Sequence, residues 1–333
     1  MSQLVPQDKF APSEVSFGAG ALSGSYDDFT QNDAVEAYMF RLGINCFDTS
    51  PYYGRSEYVL GDALQTISKE FPRQHYYIST KTGRFGYTTK DFDFSAKKTY
   101  ESVEKSMNRL HTDYLDVVYC HDVEFVPMEN IVGPGGALEA LFNLKAQGKV
   151  KYVGISGYPL DVLLKIAQYQ FEQKNQPLDI ILSYCHYTLQ NTKLADYAPK
   201  LRKAGVKYIM NASPLCMALL REGKTPDWHP AHKELREAAD KAAVVTREQY
   251  GLAISDLASR FSFQGKDEIG INSTLIGLAR KSEVQDALRC WRDGKERKEN
   301  SEKENQAYAL IFKLLEPYKN YSWQSPTTKE LAQ

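Results

Sequence analysis

A (β/α)8 barrel, the TIM-barrel fold, is predicted by the order and the spacing of the apolar segments in this 333-residue chain. Short strand-like runs alternate with longer segments of helical periodicity, and eight strand candidates can be counted. The second to the fifth begin near residues 44, 76, 114 and 151, which is the spacing of repeated strand–helix units. Eight such units without a break in composition predict one barrel domain over residues 1–333.

Each predicted strand is a short, largely apolar run. The strands are predicted at 15–24, 44–48, 75–81, 114–122, 151–156, 178–185, 206–213 and 273–278. A doubly wound sheet is the rival fold, and it usually carries a GxGxxG turn after its first strand. The segment GAGALSG lacks the third glycine at that spacing, which favours the barrel.

The helices are predicted from amphipathic spacing and from the residues at their ends. Ser95 is predicted to cap the helix over 95–111, and Pro159 to open the helix that it begins. The other helices are predicted at 33–43, 56–67, within 136–150, and at 159–171, 256–263, 281–291 and 306–318. The last of these is a C-terminal helix outside the repeated units.

Two segments depart from the regular alternation. The wide gap before the last strand contains residues 221–243, which are predicted to form an extra helical insertion. Residues 294–305, GKERKENSEKEN, are predicted to be a solvated linker to the C-terminal helix.

Composition excludes several classes of function. The net charge of −1 gives no field that would attract nucleic acid or anionic lipid. The N-terminus has no apolar signal-peptide core, and no apolar run approaches the ~20 residues of a membrane span, so a cytoplasmic protein is predicted. The five cysteines are scattered and form no CxxC pair, so no metal site is predicted.

Ionisable side chains end three successive predicted strands, where a barrel of this type keeps its active site. Asp48 ends the second strand, Lys81 the third and His121 the fourth, and Tyr53 follows Asp48 by one short loop. A buried carboxylate and ammonium on adjacent strands are expected to pair, and an ammonium near a phenol lowers the phenol pKa from ~10. Singly, each residue has an ordinary explanation as a turn, surface or packing residue. Together they predict proton transfer at a carbonyl or hydroxyl oxygen, with a cofactor for the accompanying hydride.

The stretches GINCFDTSPYYGRSEYVLGDAL, STK, YCHD and KVKYVGIS resemble the motifs of the aldo-keto reductases, and the resemblance covers nearly the whole chain. It implies a (β/α)8 barrel that uses NAD(P)H, with Asp48, Tyr53, Lys81 and His121 as the catalytic residues. It also implies that Tyr53, His121 and Asp122 contact the substrate. HDVEFV, GISGYPLD, LSYCHYTLQN and NASPL resemble the branch of that family that oxidises sugars at C1. This branch implies a monomer that oxidises an aldose, such as D-arabinose or L-galactose, to its aldonolactone.

The same resemblance implies the cofactor contacts, namely Gly20, Asp48, Ser156, Ser183, Ser213, Leu215, Gly277, Arg280 and Lys281. Gly157 stands where an asparagine that holds the nicotinamide is usual. Leu278, Ala279 and Val284 stand where NADP-preferring members carry Lys, Ser and Arg, the residues that grip the 2′-phosphate. NAD is therefore predicted, and NADP is kept as the alternative because Arg280 and Lys281 are near.

Three other functions stay open at this point. An NADPH-dependent aldehyde or ketone reductase would use the same four residues, and a cofactor-binding regulatory module would bind without turnover. An aldolase would use Lys81 to form a Schiff base. Selectivity among sugars is expected to lie in the loops at 122–136 and 213–232.

Overall fold

Eight parallel strands close into a barrel in the computed structural model, which describes residues 9–23, 43–296 and 302–324. Each strand pairs with its neighbours in chain order, and the last closes onto the first. The strands are β1 Val15–Gly18, β2 Cys46–Asp48, β3 Tyr77–Thr82, β4 Leu115–Cys120, β5 Val150–Gly157, β6 Ile180–Tyr184, β7 Tyr208–Ala212 and β8 Ser273–Gly277. The predicted (β/α)8 barrel is confirmed.

The helices surround the barrel and follow its strands. They are α1 Ser56–Thr66, α2 Ala96–Arg109, α3 Glu129–Val132, α4 Ala137–Ala146, α5 Leu160–Glu172, α6 Leu194–Lys203, α7 Lys233–Tyr250, α8 Ile254–Phe263, α9 Gly265–Ile269, α10 Lys281–Lys295 and α11 Glu302–Leu315. The Ser95 hydroxyl accepts the backbone N–H of Lys98 at 3.2 Å, so the predicted cap of α2 is confirmed. Within the described ranges, no helix is both long and apolar enough to cross a membrane.

Predicted boundaries differ from the structure at the first strand and at α5. The first strand is shorter than 15–24, because the chain turns into a 3₁₀ helix over Ala19–Ser23. Pro159 is the N-cap of α5 and not its first residue, since its backbone is still extended. The helix predicted at 33–43 lies outside the described residues except for Gly43.

The insertion and the linker were predicted with inexact limits. The segment 221–243 is helical only from residue 233, where α7 begins and continues to Tyr250. The prediction of a linker over 294–305 is wrong at both ends, since α10 includes Lys295 and α11 begins at Glu302. Lys295 forms ion pairs with Glu14 and Asp267, so contacts with other elements hold this charged segment in a helix.

Aromatic side chains fill the N-terminal end of the barrel. The ring of Phe10, which precedes β1, lies 4.8 Å from the ring of Tyr77, 5.4 Å from Tyr152 and 5.3 Å from Tyr208, measured between centroids. The Tyr208 hydroxyl accepts the backbone N–H of Phe10 at 3.2 Å. These rings fill the bottom of the barrel, which leaves the mouth formed by the C-terminal strand ends as the place for a ligand.

A second apolar cluster joins α7, α8 and α11. Leu235 and Ala239 of α7, Leu257 of α8 and Ile311 of α11 are completely buried in it. The additional helix before β8 and the C-terminal helix therefore bury their apolar faces against each other and against α8.

We expect Gly61→Ala to lower the free energy of unfolding by about 1–3 kcal/mol, because α1 crosses α2 at very close range. A Cβ at Gly61 would lie 2.0 Å from the backbone oxygen of Arg109 and 2.9 Å from the Cα of Leu110. Gly294→Ala in α10 is the matched control, since a Cβ there meets no atom of the described residues within 4 Å and alanine favours helix. Urea unfolding measures both variants, and equal stability of the two would contradict the expectation.

Candidate active site

The C-terminal ends of three neighbouring strands bring four predicted residues together. Asp48 is the last residue of β2, Lys81 is the last residue but one of β3, and His121 directly follows β4. Tyr53 enters from the loop between β2 and α1. Asp48, Lys81 and His121 are between 2% and 4% exposed, so three ionisable groups are almost fully removed from water. Such groups need partners nearby.

Lys81 and Asp48 form a buried ion pair between adjacent strands. The Lys81 ammonium donates to Asp48 Oδ1 and, at 2.8 Å, to the carbonyl oxygen of Thr49. The Ser79 hydroxyl donates to Asp48 Oδ2 at 2.7 Å. Both oxygens of the carboxylate are therefore satisfied, which a buried pair requires to offset its desolvation. An aldolase role for Lys81 is disfavoured, because its nitrogen is occupied by these two hydrogen bonds.

Tyr53 lies against this ion pair. The Lys81 nitrogen is 4.8 Å from the centroid of the Tyr53 ring, and a Cβ on Gly20 would touch the same ring at 3.7 Å. The loop is fixed by its own backbone, since Tyr53 N–H donates to the Ser50 carbonyl at 3.0 Å and Ser56 N–H to the Tyr53 carbonyl at 3.0 Å. An ammonium beside a phenol favours the phenolate, so the arrangement suits a proton acceptor.

His121 completes the group as a neutral imidazole. Burial lowers the pKa of His121 to about 3, and the charges of Lys81 and Arg84 lower it further, against the opposing effect of Asp122. Its ring stands nearly perpendicular to the Tyr53 ring, with the centroids 5.8 Å apart. At neutral pH this residue can donate or accept a hydrogen bond, but it carries no charge.

Arg84 is a residue of the site that the sequence analysis missed. Its guanidinium forms an ion pair with Asp122 at 2.5 Å, donates to the Tyr52 hydroxyl at 3.0 Å and lies 4.0 Å from the centroid of the Tyr52 ring. Asp122 Oδ2 is also 3.5 Å from Nε2 of His121. The sequence does contain a sign of this role, because Arg84 stands three residues after Lys81 at the same strand end. Asp122, predicted to bind substrate, is thus held by a cation beside His121.

Glu124 is a second ionisable group that sequence reasoning missed, and it is half-buried. Burial raises the pKa of Glu124 to about 8, and the nearby charge of Asp122 adds to the effect. Its Oε1 accepts the backbone N–H of Tyr158 at 3.0 Å, whereas its Oε2 has no partner among the described residues. A Cβ at Gly157 would lie 2.5 Å from this Oε2. The glycine found in place of the usual asparagine therefore makes room for the Glu124 carboxyl.

The predicted cofactor residues surround the same mouth. They lie after β1, at or just after the ends of β2, β5, β6, β7 and β8, and at the start of α10: Gly20, Asp48, Ser156, Ser183, Ser213, Leu215, Gly277, Arg280 and Lys281. Among the described residues, Ser156 Oγ makes only a long contact of 3.5 Å with the Cys120 carbonyl, so its hydroxyl can serve a ligand. Gly277 is open, since a Cβ there would approach no atom of the described residues closer than Ala21 at 4.0 Å.

The loop after β7 has a strained backbone. Cys216, Met217 and Ala218 are consecutive non-glycine residues with φ of 53°, 56° and 72°. Such strain is typical of loops that hold a ligand. Hydroxyl donors, an open strand end and this loop are features that fit the binding of a nicotinamide cofactor. Within the described ranges, no three His, Cys, Asp or Glu side chains are arranged to hold a metal ion.

The start of α10 offers an anionic side chain as well as cationic ones. Leu278, Ala279 and Val284 are 1–5% exposed and pack into the core. The carboxylate of Glu283 accepts the backbone N–H groups of Ala279 at 2.6 Å and Arg280 at 3.1 Å. Two backbone donors at the start of α10 are therefore already taken by a negative charge.

A sequence model described as the Aldo/keto reductase family matches residues 14–302. The chain is 38% identical over 317 residues to L-galactose dehydrogenase of Arabidopsis thaliana, which spans 94% of this chain and 93% of that enzyme. It is 40% identical over 289 residues to D-arabinose 1-dehydrogenase of Saccharomyces cerevisiae, spanning 85% of this chain and 84% of that enzyme. Among solved structures, the holo form of an aldo-keto reductase from Bacillus halodurans covers 99% of this chain and 98% of its own, with a TM-score of 0.65 and 21% identity, and supports the fold alone.

We expect Asp48→Asn and Lys81→Met each to lower the free energy of unfolding by about 3 kcal/mol, because each leaves one buried group without its charged partner. The double variant should lose clearly less than the sum of the two, since no unpaired charge is left. Urea unfolding of the four proteins measures this cycle. Strictly additive losses would show that the two groups do not interact.

Proposed function

Because the chain belongs to the aldo/keto reductase family, whose oxidoreductases use nicotinamide cofactors, we propose that it oxidises an aldose at C1 to the aldonolactone with NAD. The observation that carries the proposal is the placement of Tyr53 beside the buried Lys81–Asp48 pair and against His121. The names of two relatives that align with most of the chain, a galactose and an arabinose dehydrogenase, support a sugar as the substrate.

The four residues divide the proton chemistry among them. Tyr53 accepts the proton of the anomeric hydroxyl as the C1–O bond becomes a carbonyl. Lys81 stabilises the phenolate that performs this step, and Asp48 holds the Lys81 ammonium in place. His121, being neutral, orients the anomeric oxygen through a hydrogen bond. A bound nicotinamide supplies the acceptor for the hydride from C1.

The polar groups beside His121 favour a polyol over an apolar carbonyl compound. Asp122, Arg84 and the Tyr52 hydroxyl form one connected cluster next to the imidazole. Such a cluster can exchange hydrogen bonds with sugar hydroxyls, whereas an apolar substrate would bury it without partners. A site of this kind discriminates against ligands that lack the matching hydroxyls.

The start of α10 supports NAD as the cofactor. A carboxylate placed beside an adenosine ribose accepts its 2′-hydroxyl and repels a 2′-phosphate. Glu283 supplies a carboxylate at the start of α10, where the family resemblance puts the adenosine end of the cofactor. Buried Leu278, Ala279 and Val284 give a phosphate no donor in return. Arg280 and Lys281 at the same helix start favour the alternative, an NADPH-dependent aldehyde or ketone reductase.

We expect NADH to form when the protein is given NAD with at least one of D-arabinose, L-galactose, L-fucose and L-xylose. Tyr53→Phe should lower kcat by about 100-fold or more, because it removes the proton acceptor. Tyr100→Phe, a tyrosine on α2 that bonds Asn143, is the matched control and should retain activity. Reduction of aldehydes with NADPH and no sugar oxidation would instead indicate the reductase, and no turnover of either kind would indicate a regulatory module.

We expect the wild-type kcat/KM to be higher with NAD than with NADP. Glu283→Gln should reduce that ratio by roughly tenfold, because one charge–charge repulsion near the surface is removed. Glu296→Gln, at the other end of α10, is the control and should leave the ratio unchanged. A wild-type preference for NADP would contradict the cofactor proposal.

A further inference from the structure

We propose that Ser50 is a positioning residue that fixes His121 in the tautomer with its proton on Nε2. The inference rests on the proposed function, because it specifies how His121 is prepared to act on the anomeric oxygen. The sequence analysis predicts no residue that orients His121, and it does not name Ser50.

The hydroxyl of Ser50 has a single hydrogen to donate and one acceptor for it among the described residues. Ser50 is completely buried. Its Oγ lies 3.1 Å from the backbone nitrogen of Tyr52 and 3.1 Å from Nδ1 of His121. These are its only hydrogen-bonding neighbours among the described residues. Because a backbone N–H can only donate, Oγ is the acceptor for Tyr52, and its own hydrogen is directed to Nδ1 of His121.

The opposite arrangement leaves a buried donor unsatisfied. If Nδ1 carried the proton, Ser50 Oγ would accept from both Tyr52 and His121. The hydroxyl hydrogen of Ser50 would then have no acceptor among the described residues, and a buried unsatisfied donor is costly. Nδ1 is therefore the acceptor, and it carries no hydrogen.

The other side of the imidazole agrees with this assignment. Asp122 Oδ2 is 3.5 Å from Nε2 of His121 and is held there by Arg84. A carboxylate oxygen facing Nε2 favours an N–H over a lone pair at that position. The groups packed on the ring include the positive charges of Lys81 and Arg84, and with burial they lower the pKa of His121 to about 3. The ring therefore carries one proton at neutral pH.

The consequence is a neutral donor on His121 that can stabilise negative charge on the substrate oxygen. When Tyr53 removes the proton of the anomeric hydroxyl, the oxygen becomes more negative until the carbonyl forms. An Nε2–H preorganised by Ser50 stabilises that charge, whereas a lone pair on Nε2 would repel it. Ser50 touches neither the oxygen nor the cofactor in this scheme and acts only through His121.

The decisive measurement is nitrogen-15 NMR of the histidine side chains without any substrate. The chain has six histidines, and His121→Asn identifies which pair of ring signals belongs to His121. In the wild type at neutral pH, Nδ1 of His121 should have the nitrogen-15 chemical shift of an unprotonated ring nitrogen, and Nε2 that of a protonated one. Ser50→Thr, which keeps the hydroxyl, should preserve this pattern, and Ser50→Ala should shift it toward a mixture of tautomers. Ser16→Ala, which removes another completely buried hydroxyl, one paired with Ser273, should leave it unchanged.

Kinetics provide the second readout. Ser50→Ala should lower kcat by about tenfold, the effect of one hydrogen bond, without changing KM for the cofactor, and Ser50→Thr should restore kcat. A wild-type His121 protonated on Nδ1 would overturn the proposal, and so would a Ser50→Ala protein with unchanged tautomer and kcat. A protein that shows the predicted tautomer but oxidises no sugar would support the role of Ser50 and overturn the proposed function.

Discussion

The ion pair between Lys81 and Asp48 is the interaction on which the rest of the active site depends. It joins β2 to β3 at the mouth of the barrel and is almost completely buried. Two charges are stable in such a place because the Ser79 hydroxyl and the Thr49 carbonyl form the further hydrogen bonds that the carboxylate and the ammonium need. The pair therefore provides a fixed positive charge beside Tyr53 without leaving a net charge in the interior.

The same compensation is repeated one strand further round the barrel. Arg84 is paired with Asp122, as Lys81 is paired with Asp48. His121 lies between the two pairs, and both cations oppose its protonation. A phenol is thus placed beside an imidazole that carries a single proton at neutral pH. In the proposed function, Tyr53 transfers the proton and His121 stabilises the charge that develops on the substrate oxygen.

The fold supplies the platform for this arrangement. Parallel strands bring their C-terminal ends to one mouth, so residues distant in the chain become neighbours there. The opposite end is closed by Phe10 and the tyrosines packed on it. Rigid strand ends hold Asp48 and Lys81, whereas Tyr53 comes from a loop that is pinned by its own backbone hydrogen bonds.

The sequence by itself determined the eight-stranded barrel and the placement of Asp48, Tyr53, Lys81 and His121 at its mouth. It could do so because strand periodicity is local, and because the C-terminal ends of all strands in a parallel barrel lie at the same mouth. Only the tertiary structure decided the contacts of Ser50, Arg84 and Glu124, since each contact joins separate segments of the chain. Packing also decided the limits of α10 and α11, where ion pairs with distant elements and apolar contacts outweigh the charge of the local sequence. Local patterns are readable from the chain, whereas hydrogen bonds between distant strands exist only after the barrel has closed.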